Sequence, residues 1–111
     1  MIKYYDVPEQ RKTIAVLENT SYDAVHQIAK VIGDTNSMCF NPNKYLMNNT
    51  YRAVVVCHPD DEYSVEEGRR RAKKKLLDRY YEQLDKRLDM FADDLTTAAM
   101  SMHYRLGYEV G

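Results

Sequence analysis

The chain has 111 residues, of which 44% are hydrophobic and 30% charged, and its formal net charge at pH 7 is −1. This composition is typical of a folded protein and excludes a disordered chain. The apolar runs are too short to cross a membrane, and the first six residues lack the apolar core of a signal peptide. We therefore expect one soluble domain over residues 1–111, located in the cytosol, with Cys39 and Cys57 reduced.

The first third of the chain predicts two strands and a helix. Residues 1–7 alternate weakly and are followed by Pro8, and residues 13–17 form a second β-leaning run. Residues 19–21 offer side-chain oxygens for a helix N-cap, and apolar residues then recur at helical spacing over 21–32. Gly33 is placed for a left-handed C-terminal cap.

The middle of the chain is polar and broken before it becomes strongly β-like. Short apolar patches at 38–40 and 45–47 suggest edge strands, and Asn48-Asn49 suggests a tight hairpin turn. The β-branched and aromatic run of residues 50–58 predicts the strongest strand. Because Val54-Val55-Val56 is apolar on both faces, we expect this strand at the centre of the sheet, covered on both sides.

Residues 64–106 predict one very long helix. Ser64 and Glu67 form a capping-box pattern, and Gly107 is a natural stop. A hinge near residues 92–95 is the alternative to a single rod, because Asp93-Asp94 can cap a second helix. Gly68 near the start is expected to permit close packing, against the preceding strand.

A heptad-like seam runs along this helix. Its members step by four and three residues: Leu77, Tyr81, Leu84, Leu88, Phe91, Leu95, Ala98 and Met102. A repeat of this period favours packing along a seam as in coiled coils. Two interpretations stay open: the seam covers the sheet of its own domain, or part of it meets a second copy or a partner.

A dense basic run lies near the start of the same helix. It contains six cations, namely Arg69, Arg70, Arg71, Lys73, Lys74 and Lys75. They are either compensated within the chain, by Glu66, Glu67 and Asp78, or they bind phosphates or an acidic partner. The five acids at residues 60–67 argue against direct DNA binding, since they repel its backbone.

Motifs that carry catalysis or metal binding are missing from the sequence. There is no phosphate-binding glycine loop, no H-E-x-x-H and no C-x-x-C, and His26, His58 and His103 are scattered. We therefore expect no enzyme activity, no metal and no cofactor.

One block of the sequence carries a resemblance. Residues 53–68, Ala-Val-Val-Val-Cys-His-Pro-Asp-Asp-Glu-Tyr-Ser-Val-Glu-Glu-Gly, with the basic helix that follows, resemble small proteins of phages and integrated elements of Gram-positive bacteria. The resemblance implies a host-defence antagonist in the host cytosol. It carries no catalytic motif and transfers no site residue.

The expected fold is α+β, with a small antiparallel sheet packed on one short helix and on the long C-terminal helix, which is either straight or kinked near residues 92–95. Residues 1–63 form the sheet with one helix, and residues 64–107 form a helical arm that contributes to a homodimer. The expected function is an anti-CRISPR inhibitor that binds an effector nuclease or its guide-RNA complex. A sponge for a cyclic-nucleotide immune signal and a phage structural or assembly factor are the alternatives.

Overall fold

The structure, a computed structural model, describes residues 1–32 and 41–105, and the side chains of those ranges except residues 99 and 101–105. Five main elements follow in chain order. They are strands β1 (Ile2–Val7) and β2 (Lys12–Glu18), helix α1 (Asp23–Ile32), strand β3 (Thr50–Val56) and helix α2 (Val65–Arg105). Short 3-10 turns occupy Pro8–Gln10 and Pro42–Tyr45. The α+β class and the long C-terminal helix are therefore as the sequence predicts.

The three strands form one antiparallel sheet in the order β1-β2-β3. Tyr4, Ala15 and Ala53 share one cross-strand row on the face that packs against the helices, which we call the inner face. Successive side chains of a strand point to opposite faces, so the remaining rows alternate between this inner face and an outer face.

Helix α2 lies close against the inner face. Ala15 and Ala53 on the sheet and Ala72 and Leu76 on the helix are each at most 1% exposed. A Cβ added to Gly68 would lie 2.4 Å from Oγ1 of Thr13, which is shorter than any real contact. Small side chains on both elements thus let the helix backbone approach the sheet. Gly68 does permit close packing, but its neighbour is the central strand β2 rather than the preceding strand β3.

The start of α2 matches the capping prediction in part. The backbone N–H of Glu67 donates to Oγ of Ser64 at 3.3 Å, which satisfies one free amide of the first turn. The carboxylate of Glu67 pairs instead with two arginines of the next turn. The helix then runs unbroken for 41 residues, so the hinge alternative at 92–95 does not occur.

Helix α1 is amphipathic and buries Ala24 and Ile28. The residues before it do not cap its free amides through their side chains. Instead Thr20 Oγ1 donates to the Asn48 carbonyl, and Ser21 Oγ donates to Asn49 Oδ1 at 2.9 Å. The Asn48-Asn49 segment therefore docks the start of α1 and does not form the predicted hairpin turn.

Two further predictions for the middle of the chain are wrong. Tyr45 belongs to a 3-10 turn, and no strand forms at 45–47. β3 is an edge strand with one face on α2, and its Val56 is 64% exposed. The predicted strand at 38–40, the Gly33 cap and the Gly107 stop lie outside the described residues.

The molecule is elongated, with extents of 70 × 27 × 16 Å and a Cα radius of gyration of 20.6 Å. A compact domain of this length has a radius of gyration of about 13 Å. Helix α2 accounts for the difference, since 41 residues at 1.5 Å each span about 60 Å. Within the described part of the chain, no helix is sufficiently apolar along its length to cross a membrane.

Candidate functional site

The first arginine of the basic run is committed to the fold. Arg69 donates to both carboxylate oxygens of Asp6 on β1, with the shortest contact at 2.5 Å, and its guanidinium lies 5.3 Å from the ring centre of Tyr4. The hydrogen bonds from Arg69 hold the pKa of Asp6 below its usual value. Arg69 therefore ties α2 to the edge strand β1.

The next two arginines share one carboxylate. Arg70 and Arg71 donate to Glu67 at distances of 2.6 and 2.9 Å. These hydrogen bonds lower the pKa of Glu67 to about 2. The sequence predicted pairing of this kind, with Glu66 and Glu67 as acceptors four residues before the arginines. In the structure the carboxylate of Glu67 accepts hydrogen bonds from both arginines.

The lysines of the run differ from one another. Lys74 pairs with Asp78 at 3.0 Å, as predicted. Lys75 donates to the carbonyl of Val54 at 3.1 Å, and Arg79 donates to the carbonyl of Arg52 at 2.9 Å. Among the described residues, Lys73 has no hydrogen-bond or ion-pair partner. Binding of an outside partner by the six cations stays a prediction.

The apolar seam divides between two environments. Leu84 is 9% exposed and Leu88 packs against the core, while Phe91 meets the ring of Tyr45 edge-on at 5.8 Å. Tyr81 and Leu95 are 52% and 41% exposed. The side chain of Met102 lies outside the described residues.

The exposed part of the seam borders a groove on the side of α2 that faces away from the sheet. Leu77 and Tyr81 form its apolar floor, and its walls are the side chains of Arg70, Lys73, Lys74 and Asp78. We call this the α2 groove. Its lining includes residues of both the apolar seam and the basic run, which the sequence analysis treated separately.

The outer face of the sheet is a second unoccupied surface, and the sequence analysis did not single it out. Eleven strand positions point to this face, in three rows that cross all three strands and a fourth row that joins only β2 and β3. The rows are Glu18–Thr50, Lys3–Val16–Arg52, Tyr5–Ile14–Val54 and Val7–Lys12–Val56. The face therefore carries six apolar side chains, three cations, Thr50 and one acid, Glu18.

The side chains of this outer sheet face are accessible. Tyr5 is 51% exposed and Val56 is 64% exposed, and no described helix packs on this side. At its margin, Lys3 forms a weak ion pair with Glu18 at 3.5 Å, with both groups largely exposed. The signal in the sequence was the two-sided apolar pattern of Val54-Val55-Val56. That pattern predicted a covered face, but β3 lies at the edge and this side of it is open.

A small cavity beneath the start of α2 contains the thiol of Cys57. Arg11, Tyr63, Gly68 and Arg71 are among its lining residues. The Arg11 guanidinium lies 3.5 Å from the Cys57 sulfur and also donates to the carbonyls of His58 and Asp61. These contacts hold the turn after β3 in place. The described residues contain no group of three His, Cys, Asp or Glu side chains that could hold a metal ion.

Comparison with protein-family models, with curated proteins and with solved structures finds no match to this chain.

Proposed function

We propose that this protein acts by binding another protein through its outer sheet face, as an inhibitor of a host defence effector. The observation that carries the proposal is the uncovered cross-strand row of Tyr5, Ile14 and Val54. Contiguous exposed apolar surface with a polar rim is typical of protein interaction sites. The phage context, and with it an anti-CRISPR role, rests on the resemblance of residues 53–68.

The charges around the row define the chemistry of the partner. Lys3, Lys12 and Arg52 flank the apolar centre, and the one carboxylate among the eleven positions, that of Glu18, pairs with Lys3 at the margin. A complementary partner therefore presents an apolar patch bordered by acidic side chains. Effector nucleases that hold nucleic acid display basic channels, so an acid-rimmed site on such a protein lies away from its channel. Inhibition through the outer sheet face therefore blocks a conformational change or an assembly step.

A protein partner is favoured over single-stranded nucleic acid by the kind of apolar residue present. Sheet faces that bind single strands stack bases on several aromatic rings. Tyr5 is the only aromatic residue among the eleven positions, and the other apolar side chains are all β-branched and aliphatic. Branched aliphatic side chains offer no flat surface for stacking, but they pack well against a protein.

The experiment uses a bacterial strain with an active CRISPR effector, challenged with a phage that the guide RNA targets. We expect the wild-type protein to restore plaque formation. The double variant Tyr5→Glu/Val56→Glu is expected to lose this effect, because two carboxylates would face the acidic rim of the partner. Each buried like-charge contact costs several kcal/mol, so affinity falls on the order of 100-fold or more.

The matched control is Val31→Glu, an equally drastic change at an apolar residue of α1 that is 79% exposed. It is expected to inhibit like the wild type, and thermal unfolding checks that all variants fold. Reversal of charge at Arg70, Arg71 and Lys74 together tests the basic run separately.

Each outcome separates the proposals. Full inhibition by Tyr5→Glu/Val56→Glu contradicts the outer sheet face, and loss in the charge-reversed variant alone would assign binding to the basic run. Failure of the wild type to restore plaques with any effector tested contradicts the anti-CRISPR role. A rise in melting temperature with a cyclic nucleotide would then favour the signal sponge.

A further inference from the structure

The α2 groove combines an apolar floor with a basic rim. Its floor residues Leu77 and Tyr81 lie four positions apart on the helix, and Tyr81 is 52% exposed. The cations of the rim, Arg70, Lys73 and Lys74, all precede this floor along the helix. The groove has a volume of about 400 Å³, which is within the usual range for sites of small molecules. A molecule that fits it therefore has an apolar part at one end and negative charge at the other.

The rim cations are open to an anion. Lys73 has no ion pair or hydrogen bond within the part of the chain that the structure describes. Arg70 pairs with Glu67 and Lys74 pairs with Asp78, but the side chains of these two cations stay 64% and 73% exposed. Exposed pairs of this kind contribute little to stability, so a phosphate can compete for both cations. The lining of the groove has three cations and one carboxylate, that of Asp78, and so a net charge of +2.

The ring of Tyr81 is supported on one side by its neighbour. Tyr80 meets it with ring centres 5.1 Å apart and an angle of 64° between the rings. Tyr80 is itself fixed, because its hydroxyl donates to Asp23 and its ring packs edge-on against Tyr51. An aromatic ring that is anchored and half exposed is a platform on which a nucleobase stacks. The floor of the groove therefore favours a planar aromatic ligand.

We propose that the α2 groove binds a free nucleoside polyphosphate. The base stacks on Tyr81 and Leu77. Its phosphates reach Lys73, Lys74 and Arg70. Tyr81 follows Lys74 by seven positions and Arg70 by eleven, which places all three on one side of the helix over about 10 to 16 Å. A nucleoside with two or three phosphates, together with the long side chains that meet it, spans a distance of this order.

Acidic residues on either side of the groove limit the length of its ligand. Glu66 and Glu67 precede the basic run, and the exposed Asp85 lies four positions after Tyr81 on the same side of the helix. A long single strand of nucleic acid would place phosphates beside these carboxylates, and like charges repel. A free nucleotide fits between the two groups of acids. Its binding is independent of the outer sheet face, because the groove lies on the side of α2 that faces away from the sheet.

Calorimetric titration of the full chain with ATP, at low salt and without divalent cations, provides the test. We expect one molecule of ATP to bind per chain. Adenosine lacks the phosphates and inorganic triphosphate lacks the base, so each is expected to bind about tenfold more weakly than ATP, or less tightly still. The affinity for ATP is expected to fall as salt is added, because salt screens exposed charges.

Two pairs of variants locate the site. Tyr81→Leu keeps the floor apolar but removes the ring, and it is expected to weaken ATP binding about tenfold. Its control is Tyr22→Leu, at a tyrosine of nearly equal exposure, 53%, just before α1, which is expected to bind like the wild type. Lys73→Gln is expected to weaken binding and to reduce its salt dependence. Lys86→Gln, at an exposed lysine of α2 outside the groove, is expected to change neither.

Thermal unfolding without ligand checks that each variant folds. ATP that fails to bind the wild type at about 1 mM overturns the proposal. Equal losses of affinity in Tyr81→Leu and Tyr22→Leu contradict this site, and inorganic triphosphate that binds as tightly as ATP contradicts the stacked base. A single strand of about ten nucleotides that binds more tightly than ATP would contradict the assignment to a free nucleotide.

Discussion

Because Gly68 has no side chain, α2 can approach the sheet closely at this position. Alanine normally stabilises a helix interior by about 1 kcal/mol relative to glycine. Here the added Cβ would lie 2.4 Å from Oγ1 of Thr13, and Thr13 is fully buried and β-branched, so it cannot turn away freely. We expect Gly68→Ala to destabilise the protein by about 1–3 kcal/mol in urea unfolding.

A second substitution, Thr13→Ala, removes the hydroxyl oxygen that a Cβ at position 68 would contact. In a double-mutant cycle, Gly68→Ala should cost less in the Thr13→Ala background than in the wild type. A gain in stability from Gly68→Ala alone would contradict the close approach of helix and strand.

Two neighbouring tyrosines offer a matched comparison of hydroxyl groups. Tyr80 donates to Asp23 at 2.6 Å and thereby ties α2 to α1, whereas the buried hydroxyl of Tyr51 has no hydrogen-bond partner among the residues that the structure describes. Their rings meet edge-on at 5.7 Å, so both phenylalanine variants keep the same aromatic contact. We expect Tyr80→Phe to lose about 1 kcal/mol of unfolding free energy and Tyr51→Phe to lose none or to gain. Equal losses in chemical denaturation would contradict this assignment.

At the scale of elements, the sequence predicted α2 but left open which side of it faces the sheet. The seam was read from large apolar residues, yet the face on the sheet begins with Gly68, Ala72 and Leu76. Glycine and alanine contribute little to an apolar pattern, so close backbone packing leaves a weak signal in the sequence. The position of β3 was missed for a related reason. An apolar run shows that both faces avoid water, but not whether the second face is covered by its own chain.

The ionic link between β1 and α2 shows the same limit. The pairs of Glu67 with Arg71 and of Lys74 with Asp78 follow helical spacing, which makes them predictable. Asp6 and Arg69 are 63 residues apart, so only the folded chain brings them together. The outer sheet face was likewise invisible until the strand order and register were known.

This link makes stability depend on pH. Arg69 holds the pKa of Asp6 below its usual 3.8, so the folded state binds the proton less well than the unfolded state. The stabilisation is therefore present above about pH 4 and is lost as the pH falls through the lower folded pKa. We expect Asp6→Asn to be less stable than the wild type at pH 7 in urea unfolding, and the difference to shrink as the pH is lowered below about 4.

The carboxyl group of Glu67 is also protonated at low pH. Both the wild type and Asp6→Asn contain it, so its contribution cancels from the difference between their unfolding free energies. Asp85→Asn provides the control, because Asp85 is exposed and has no ion-pair partner among the described residues. A difference between Asp6→Asn and the wild type that persists unchanged at pH 2 would show that the carboxylate's charge is not responsible.

At the scale of the whole molecule, the length of α2 separates two tasks. Its first 30 residues build the core. Among the described residues, its hydrogen bonds and ion pairs with the body end at Asp94, which accepts from Tyr45 at 2.5 Å and pairs with Lys44 at 2.7 Å. Beyond that point the described side chains, including Met100 at 68% exposure, face solvent. The body thus carries the outer sheet face on one side and the α2 groove on the other, and the end of α2 projects from it.

Truncation after Asp94 tests this division. The shortened chain keeps the contacts of Tyr45 and Lys44, so we expect its melting temperature to change by no more than a few degrees. Its radius of gyration from X-ray scattering should fall below that of the full chain, and both should be measured over a dilution series to exclude association. A full chain with a radius near 13 Å, the value of a compact domain, would mean that α2 folds back on itself. A large loss of thermal stability on truncation would instead mean that the end of the helix packs on the body. Only a straight, unsupported end combines a large decrease in radius with an unchanged melting temperature.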